Sequence, residues 1–199
     1  MAENIHPIFE NTLGVQDKEL QLKQRGLVIW MVGLSGSGKS TLATGLENKL
    51  HEKGYHTMLL DGDNLRTGVN NNLGFSEEDR LENIRRAAEV SKLFAMNGTV
   101  TICSLISPTE EVRTLAHSII GDAYCEVFVS CPIEVCEQRD VKGLYAKARR
   151  GEIKNFTGID APFEAPNSPS IEVHTDQMSL EDSLEFLTNK IIPKIQLIS

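Results

Sequence analysis

Gly33-Leu34-Ser35-Gly36-Ser37-Gly38-Lys39-Ser40 fits the pattern G-x-x-x-x-G-K-[ST] at every position. This is the pattern of a P-loop, a segment that holds nucleotide phosphates. Glycines at 33, 36 and 38 let backbone amides turn inward with no Cβ in the way. Such amides form an anion nest at the start of a helix, where the helix dipole also favours negative charge. Lys39 can reach the β- and γ-phosphates, and Ser40 can offer its hydroxyl to Mg²⁺. Residues Gly33, Leu34, Ser35, Gly36, Ser37, Gly38, Lys39 and Ser40, followed by Thr41, are therefore the candidate nucleotide site, with Ser40 a candidate metal ligand.

The flanks agree with that reading. Residues 27–32 are an apolar run of strand length, and a helical pattern runs from Lys39 to about Glu52. A second strand is expected at 56–60, ending in Asp61-Gly62-Asp63. Ser76 is placed to cap a helix that runs to about Met96 and closes at Asn97-Gly98. Residues 99–103 are rich in β-branched side chains and read as a third strand. Pro108 opens the next helix, with Ser107 as its N-cap and an end near Gly121. A fourth strand is expected at 127–129, then helix over 135–150 with a break near Gly143. Residues 151–169 hold two Gly and three Pro among polar residues and lack periodicity, as a lid would. A last strand at 171–173 and a helix capped by Ser179 complete the chain. Alternating strands and helices imply a parallel sheet covered on both faces. The division expected is an N-terminal arm over 1–25 and one domain over 26–199, its lid at about 140–166.

Composition narrows the partners. A chain of 199 residues with net charge −8 is not a broad nucleic-acid binder, although basic patches can still surround an anionic substrate. No apolar run approaches the roughly 18 residues a spanning helix needs. The N-terminus carries no signal-peptide pattern, and the expected location is cytoplasmic. Cys131 and Cys136 match no zinc spacing, so the four cysteines read as buried reduced thiols.

Asp61 ends an apolar strand at the edge where open α/β sheets bind ligands. Of Asp61 and Asp63, one could order Mg²⁺ through water and the other accept a proton from an acceptor hydroxyl. An Asp-Gly-Asp is also an ordinary turn; the P-loop upstream favours chemistry. Arg80 and Asn83 are three apart on one helical face, where a guanidinium fork and an amide suit an anionic, hydrogen-bonding ligand. A solvated face among Glu77, Glu78 and Asp79 fits the spacing equally well. Residues 140–150 are basic, and Lys142, Lys147, Arg149 and Arg150 could supply charge to a closing lid. Phe75 and Phe156 are aromatics in polar loops, able to stack on a purine or simply to anchor their loops.

Together these runs resemble the adenylylsulfate kinase (APS kinase) family. The resemblance covers about 26–190 and rests on the P-loop with Thr41, Leu60-Asp61-Gly62-Asp63-Asn64, Asn72-Leu73-Gly74-Phe75-Ser76, Asp79-Arg80 and Asn83-Ile84-Arg85-Arg86. It continues in Ile106-Ser107-Pro108, Lys142-Gly143-Leu144-Tyr145 and Phe156-Thr157-Gly158-Ile159-Asp160. The resemblance implies a three-layer αβα fold with a five-stranded parallel sheet and a lid. It implies transfer of the γ-phosphate of ATP, with Mg²⁺, to the 3′-hydroxyl of adenosine 5′-phosphosulfate. Arg66, Arg80 and Asn83 would hold that substrate, Phe75 and Phe156 would enclose its adenine, and Ile106, Ser107, Lys142 and Leu144 would complete the pocket. Lys39, Asp61, Asp63 and Ser107 are the candidate catalytic residues, Asp63 nearer the hydroxyl and Asp61 nearer the metal; Ser107 matches a serine described as phosphorylated in some members. A homodimer and a stand-alone kinase are implied. Two features depart from the family: the arm lacks its Trp-His and basic stretch, and Phe163 stands where Tyr is usual. A kinase for another small acceptor would share the P-loop and Asp61 but leaves the Arg80, Asn83 and paired aromatics unexplained. A GTPase would need N-K-x-D, and the Asn-Lys pairs at 48–49 and 189–190 do not continue that way.

Overall fold

The computed structural model describes residues 4–197. Five strands, β1 (Leu27–Val32), β2 (Thr57–Asp61), β3 (Val100–Ser104), β4 (Tyr124–Ser130) and β5 (Ile171–His174), form one sheet. All neighbours pair in parallel, in the order β2-β3-β1-β4-β5. Among the described residues the helices are α1 (Val15–Leu22), α2 (Lys39–Glu52), α3 (Gly62–Thr67), α4 (Glu77–Met96), α5 (Glu110–Ile120), α6 (Ile133–Arg139), α7 (Leu144–Arg149) and α8 (Leu180–Ile195).

Strand β1 explains why the fold closes. Its six residues are all buried. Leu27, Ile29 and Met31 enter a core with Leu42, Leu46 and Leu50 of α2 and Leu184, Leu187 and Ile191 of α8. Val28, Trp30 and Val32 enter the opposite core, with Ile84, Ala87 and Ala88 of α4 and Val112 and Ala116 of α5. A strand covered on both faces reads as a continuous apolar run rather than an alternating one. A third, smaller cluster lies beneath the lid, where Leu34, Cys131, Cys136 and Tyr145 pack with Phe156, Ile159 and Phe163. All four cysteines are free and buried.

Several boundaries differ from expectation, each for a physical reason. The arm contains α1, which buries none of its residues and exposes Val15 and Leu20. With no face against the core it carries no amphipathic signature. Gln24, 1% exposed, pins the arm's end: its Nε2 donates to the carbonyl oxygens of His56 and Gly98, and its Oε1 accepts from the His56 amide. Asp61-Gly62-Asp63 is not a simple turn: Asp61 ends β2 and caps α3, its Oδ1 accepting from the Asp63 amide at 3.0 Å. Helix α5 does not begin at Pro108 with Ser107 as its cap. It starts at Glu110, and the lid supplies the cap: Glu164 Oε2 accepts from the Glu110 amide at 2.7 Å. β4 extends on both sides of 127–129, and the expected helix over 135–150 splits into α6 and α7 around Gly143, as its break predicted.

Candidate active site

The loop between β1 and α2 runs close beneath its neighbours. A Cβ at Gly33 would lie 2.6 Å from the Val129 carbonyl oxygen and 2.8 Å from Ser37 Oγ. Gly36 adopts a φ of 77°, and a Cβ there would meet the Cys136 carbonyl at 2.9 Å. Side chains at these points would push the nest open. Lys39 Nζ donates to the Leu34 carbonyl at 2.6 Å, and the residue is buried. Burial brings its pKa from 10.5 down to about 8, against the pull of Cys136 and Asp61, with Lys142 adding to the fall. The ammonium is thus held over the loop in a medium where a phosphate oxygen would be a strong partner.

The sheet's carboxyl edge brings the next residues to this loop. Ser40 Oγ donates to Asp61 Oδ2 at 2.9 Å and lies 3.2 Å from Ser104 Oγ at the end of β3. Asp63, one residue into α3, pairs with Lys142 at the start of the lid. That bond raises the pKa of Lys142. P-loop, carboxylates and lid cation therefore meet at one edge.

The remaining predicted residues gather around α4. Arg66 Nη1 donates to the carbonyls of Leu73 and Gly74, and its guanidinium sits 4.5 Å from the centre of the Phe75 ring. Phe75 itself is 66% exposed. Arg80 bridges the two aromatic segments: Nε donates to Phe75 O at 3.0 Å, Nη2 to Asn155 O at 2.6 Å and Nη1 to Thr157 Oγ1 at 3.2 Å. Burial, then the nearby Arg66 cation, draw the Arg80 pKa down. Asp160 and Glu77 pull the other way without cancelling the fall, so the two neighbouring cations favour an anionic ligand. Asn83 is buried and its Oδ1 accepts from Asn70 Nδ2 at 3.0 Å. Phe156 is half-buried, edge-on to Tyr145 at 5.0 Å between ring centres. Leu144 opens α7, and Ile106 O accepts from the Gly33 amide at 3.3 Å.

Ser107 is 1% exposed and left-handed, with φ 47°. For a residue with a Cβ that conformation costs about 1–2 kcal/mol. Its Oγ accepts from Trp30 Nε1 at 2.9 Å, and its carbonyl accepts from Arg113 Nη1 at 3.3 Å. The hydroxyl is thus committed to the indole in the buried core.

Sequence reasoning missed the residues that fasten the lid. Tyr145 OH donates to the Ser35 carbonyl of the P-loop at 2.9 Å. Arg139 reaches the Gly36 carbonyl and Thr175, whose hydroxyl donates to Ser37 O at 2.7 Å. Arg113 Nη1 donates to the Glu164 carbonyl at 2.8 Å. Tyr145 stood inside a quoted motif; Arg113 and Arg139 act across long sequence separations, which leave no spacing to read. A recess of about 530 Å³ opens between Leu34, Ile133 and lid residues 158–163, flanking rather than including Lys39, Asp61 and Asp63.

A P-loop with a buried lysine, carboxylates at the sheet's carboxyl edge and a lid bonded to the P-loop are the plan of a P-loop kinase. A profile of the adenylylsulphate kinase family matches residues 25–174, and the chain belongs to that family. The adenylyl-sulfate kinase of Bacteroides fragilis is 60% identical over 193 residues, 96% of each chain. That of Phocaeicola vulgatus is 57% identical over 192 residues, 96% of this chain and 94% of its own. Among solved structures, the Mycobacterium tuberculosis APS kinase CysC in complex with AMPPNP and APS superposes with a TM-score of 0.81 at 46% identity, over 84% of this chain and 98% of that one.

Proposed function

We propose that this chain transfers the γ-phosphate of ATP to the 3′-hydroxyl of adenosine 5′-phosphosulfate. The observation that carries this reading is Arg80, which joins the Phe75 and Phe156 segments beside a second cation, Arg66, on the helix that Asp61 caps. In the proposed reaction the P-loop amides and Lys39 hold the triphosphate. Arg66, Arg80 and Asn83 hold the sulfate-bearing substrate, with its adenine between Phe75 and Phe156. Ile106, Ser107, Lys142 and Leu144 close the pocket. Asp63 orients the 3′-hydroxyl and accepts its proton as the hydroxyl attacks in line, and Lys39 meets the charge that develops. Neighbouring Lys142 ties Asp63 to the lid, so closure and placement of the base move together.

The donors at Ser40 and Asp61, a hydroxyl touching a carboxylate, fit Mg²⁺, a hard cation that takes oxygen ligands and fills its shell with water and phosphates. Ser40 and Asp61 would hold it, and when bound it withdraws charge from the β- and γ-phosphates.

Incubation with Mg-ATP and adenosine 5′-phosphosulfate, followed by mass spectrometry, is expected to give the 3′-phosphorylated product. ADP formed with other small acceptors but not with this one would overturn the reading. A homodimer working in the cytoplasm is part of the same proposal. The exposed Ile5, Ile8, Phe9 and Leu13 of the arm support a partner surface, and four free buried thiols support a reducing compartment. Light scattering on the purified chain tests the dimer. No helix among the described residues is long and apolar enough to cross a membrane.

A further inference from the structure

Arg113 takes no part in the chemistry above, yet it is a buried cation, 6% exposed.

 Its guanidinium lies where three elements meet. Nη1 donates to the carbonyl of Ser107 at 3.3 Å and to the carbonyl of Glu164 at 2.8 Å. Nε faces the Glu126 carboxylate of β4 at 3.7 Å, and Tyr124 OH donates to the same carboxylate at 3.0 Å. One buried head group therefore joins the Ser107 turn to the C-terminal end of the lid.

Both joined segments also have contacts of their own. Glu164 is held through its amide, which donates to Pro108 O at 2.8 Å ahead of α5, and through its carboxylate on the Glu110 amide of α5 at 2.7 Å. Ser107 is held in its left-handed turn by Trp30 on one side and Arg113 on the other. The other end of the lid is fastened differently, by Tyr145 and Arg139 to the P-loop carbonyls of Ser35 and Gly36. The lid thus has a nucleotide-side anchor and a separate anchor on the Ser107 turn.

We propose that Arg113 is a positioning residue for the acceptor: it locks the Ser107 turn and the C-terminal end of the lid into one unit. The inference rests on the proposed function, which places Ile106 and Ser107 against the acceptor. Because the nucleotide-side anchor is independent, loss of Arg113 loosens acceptor binding and leaves ATP binding in place.

The chain offers its own reporter. Trp30 is its one tryptophan, and its indole N–H is bonded to Ser107 Oγ. Arg113→Met combined with Glu126→Gln removes the cation without stranding the carboxylate. In this variant KM for adenosine 5′-phosphosulfate is expected to rise about tenfold, the effect of losing a hydrogen bond from a charged donor, with KM for Mg-ATP within about twofold. The change in Trp30 emission on adding the acceptor should need correspondingly more of it. Arg113→Lys keeps a cation facing Glu126 but loses the Nη1 that reaches both carbonyls, and should move the same KM by less. It carries the test if the double variant does not fold. A folded variant with both KM values unchanged, or with both raised alike, overturns the role of Arg113. Wild-type protein that turns over no adenosine 5′-phosphosulfate overturns the proposed function instead.

Discussion

At Lys39, burial has moved a titration into the range of ordinary buffers. In the unfolded chain this ammonium loses its proton near 10.5, and in the folded chain near 8. Between those values the unfolded chain binds the extra proton. Stability contributed by this group therefore rises with pH across that window, and below about 8 the cost of burying the charge is felt in full. Phosphate binding runs the other way, because the charged form is the one that grips ATP. ATP affinity is expected to fall as pH climbs past about 8, by at most tenfold per pH unit, with proton uptake on binding. Calorimetry in buffers of different ionisation enthalpy measures that uptake; its absence at pH 8.5 would contradict the assigned titration. Lys39→Ala should lower kcat by about 10²–10³-fold or more, since the chemistry is positioning and electrostatics. Near-normal turnover in steady-state assays would remove Lys39 from its proposed role.

At the scale of elements, helix starts do much of the work. Ser76 Oγ accepts from the Asp79 amide at 3.1 Å and begins the long α4 that carries Arg80 and Asn83. Ser76→Ala is expected to cost about 1 kcal/mol in denaturant unfolding. Phe156→Ala removes a ring wedged against Tyr145 and should raise KM for the acceptor with little change in kcat, as a steady-state titration would read. Elements of this kind were legible because their signals are local: an apolar run before a glycine loop, a serine three residues ahead of an acidic one, a glycine breaking a helix. The exceptions were non-local. The start of α5 was misplaced because its cap is a side chain from the lid, Glu164, far along the chain. α1 was invisible because none of its side chains is buried. Arg80, nominated for the acceptor, is bonded to the lid, and the anchors Arg113 and Arg139 carried no motif to mark them.

For the whole molecule, stability rests on two cores that share one sheet. Leu46 is fully buried between α2 and the sheet, with α8 alongside. Leu46→Ala should cost about 2–5 kcal/mol by thermal or urea unfolding, because the cavity between rigid layers collapses only in part. The two layers are also why a modest sequence could be read so far: strands buried on both faces announce themselves as apolar runs.

The strand order has one more consequence, for the time the chain needs to fold. No two neighbouring strands of the sheet are joined by a hairpin, since every pair is parallel. Leu27 must find Val100, and Val28 must find Tyr124, before β1 has a neighbour on either side. The P-loop leaves the ribosome early, yet the strands that hold its ends come much later. Folding governed by such distant pairings is slow compared with a helical bundle of equal size. Until β4 is made, the nucleotide-binding loop lacks Val129 and Cys136 against its glycines, so competence to bind ATP should arrive late and all at once.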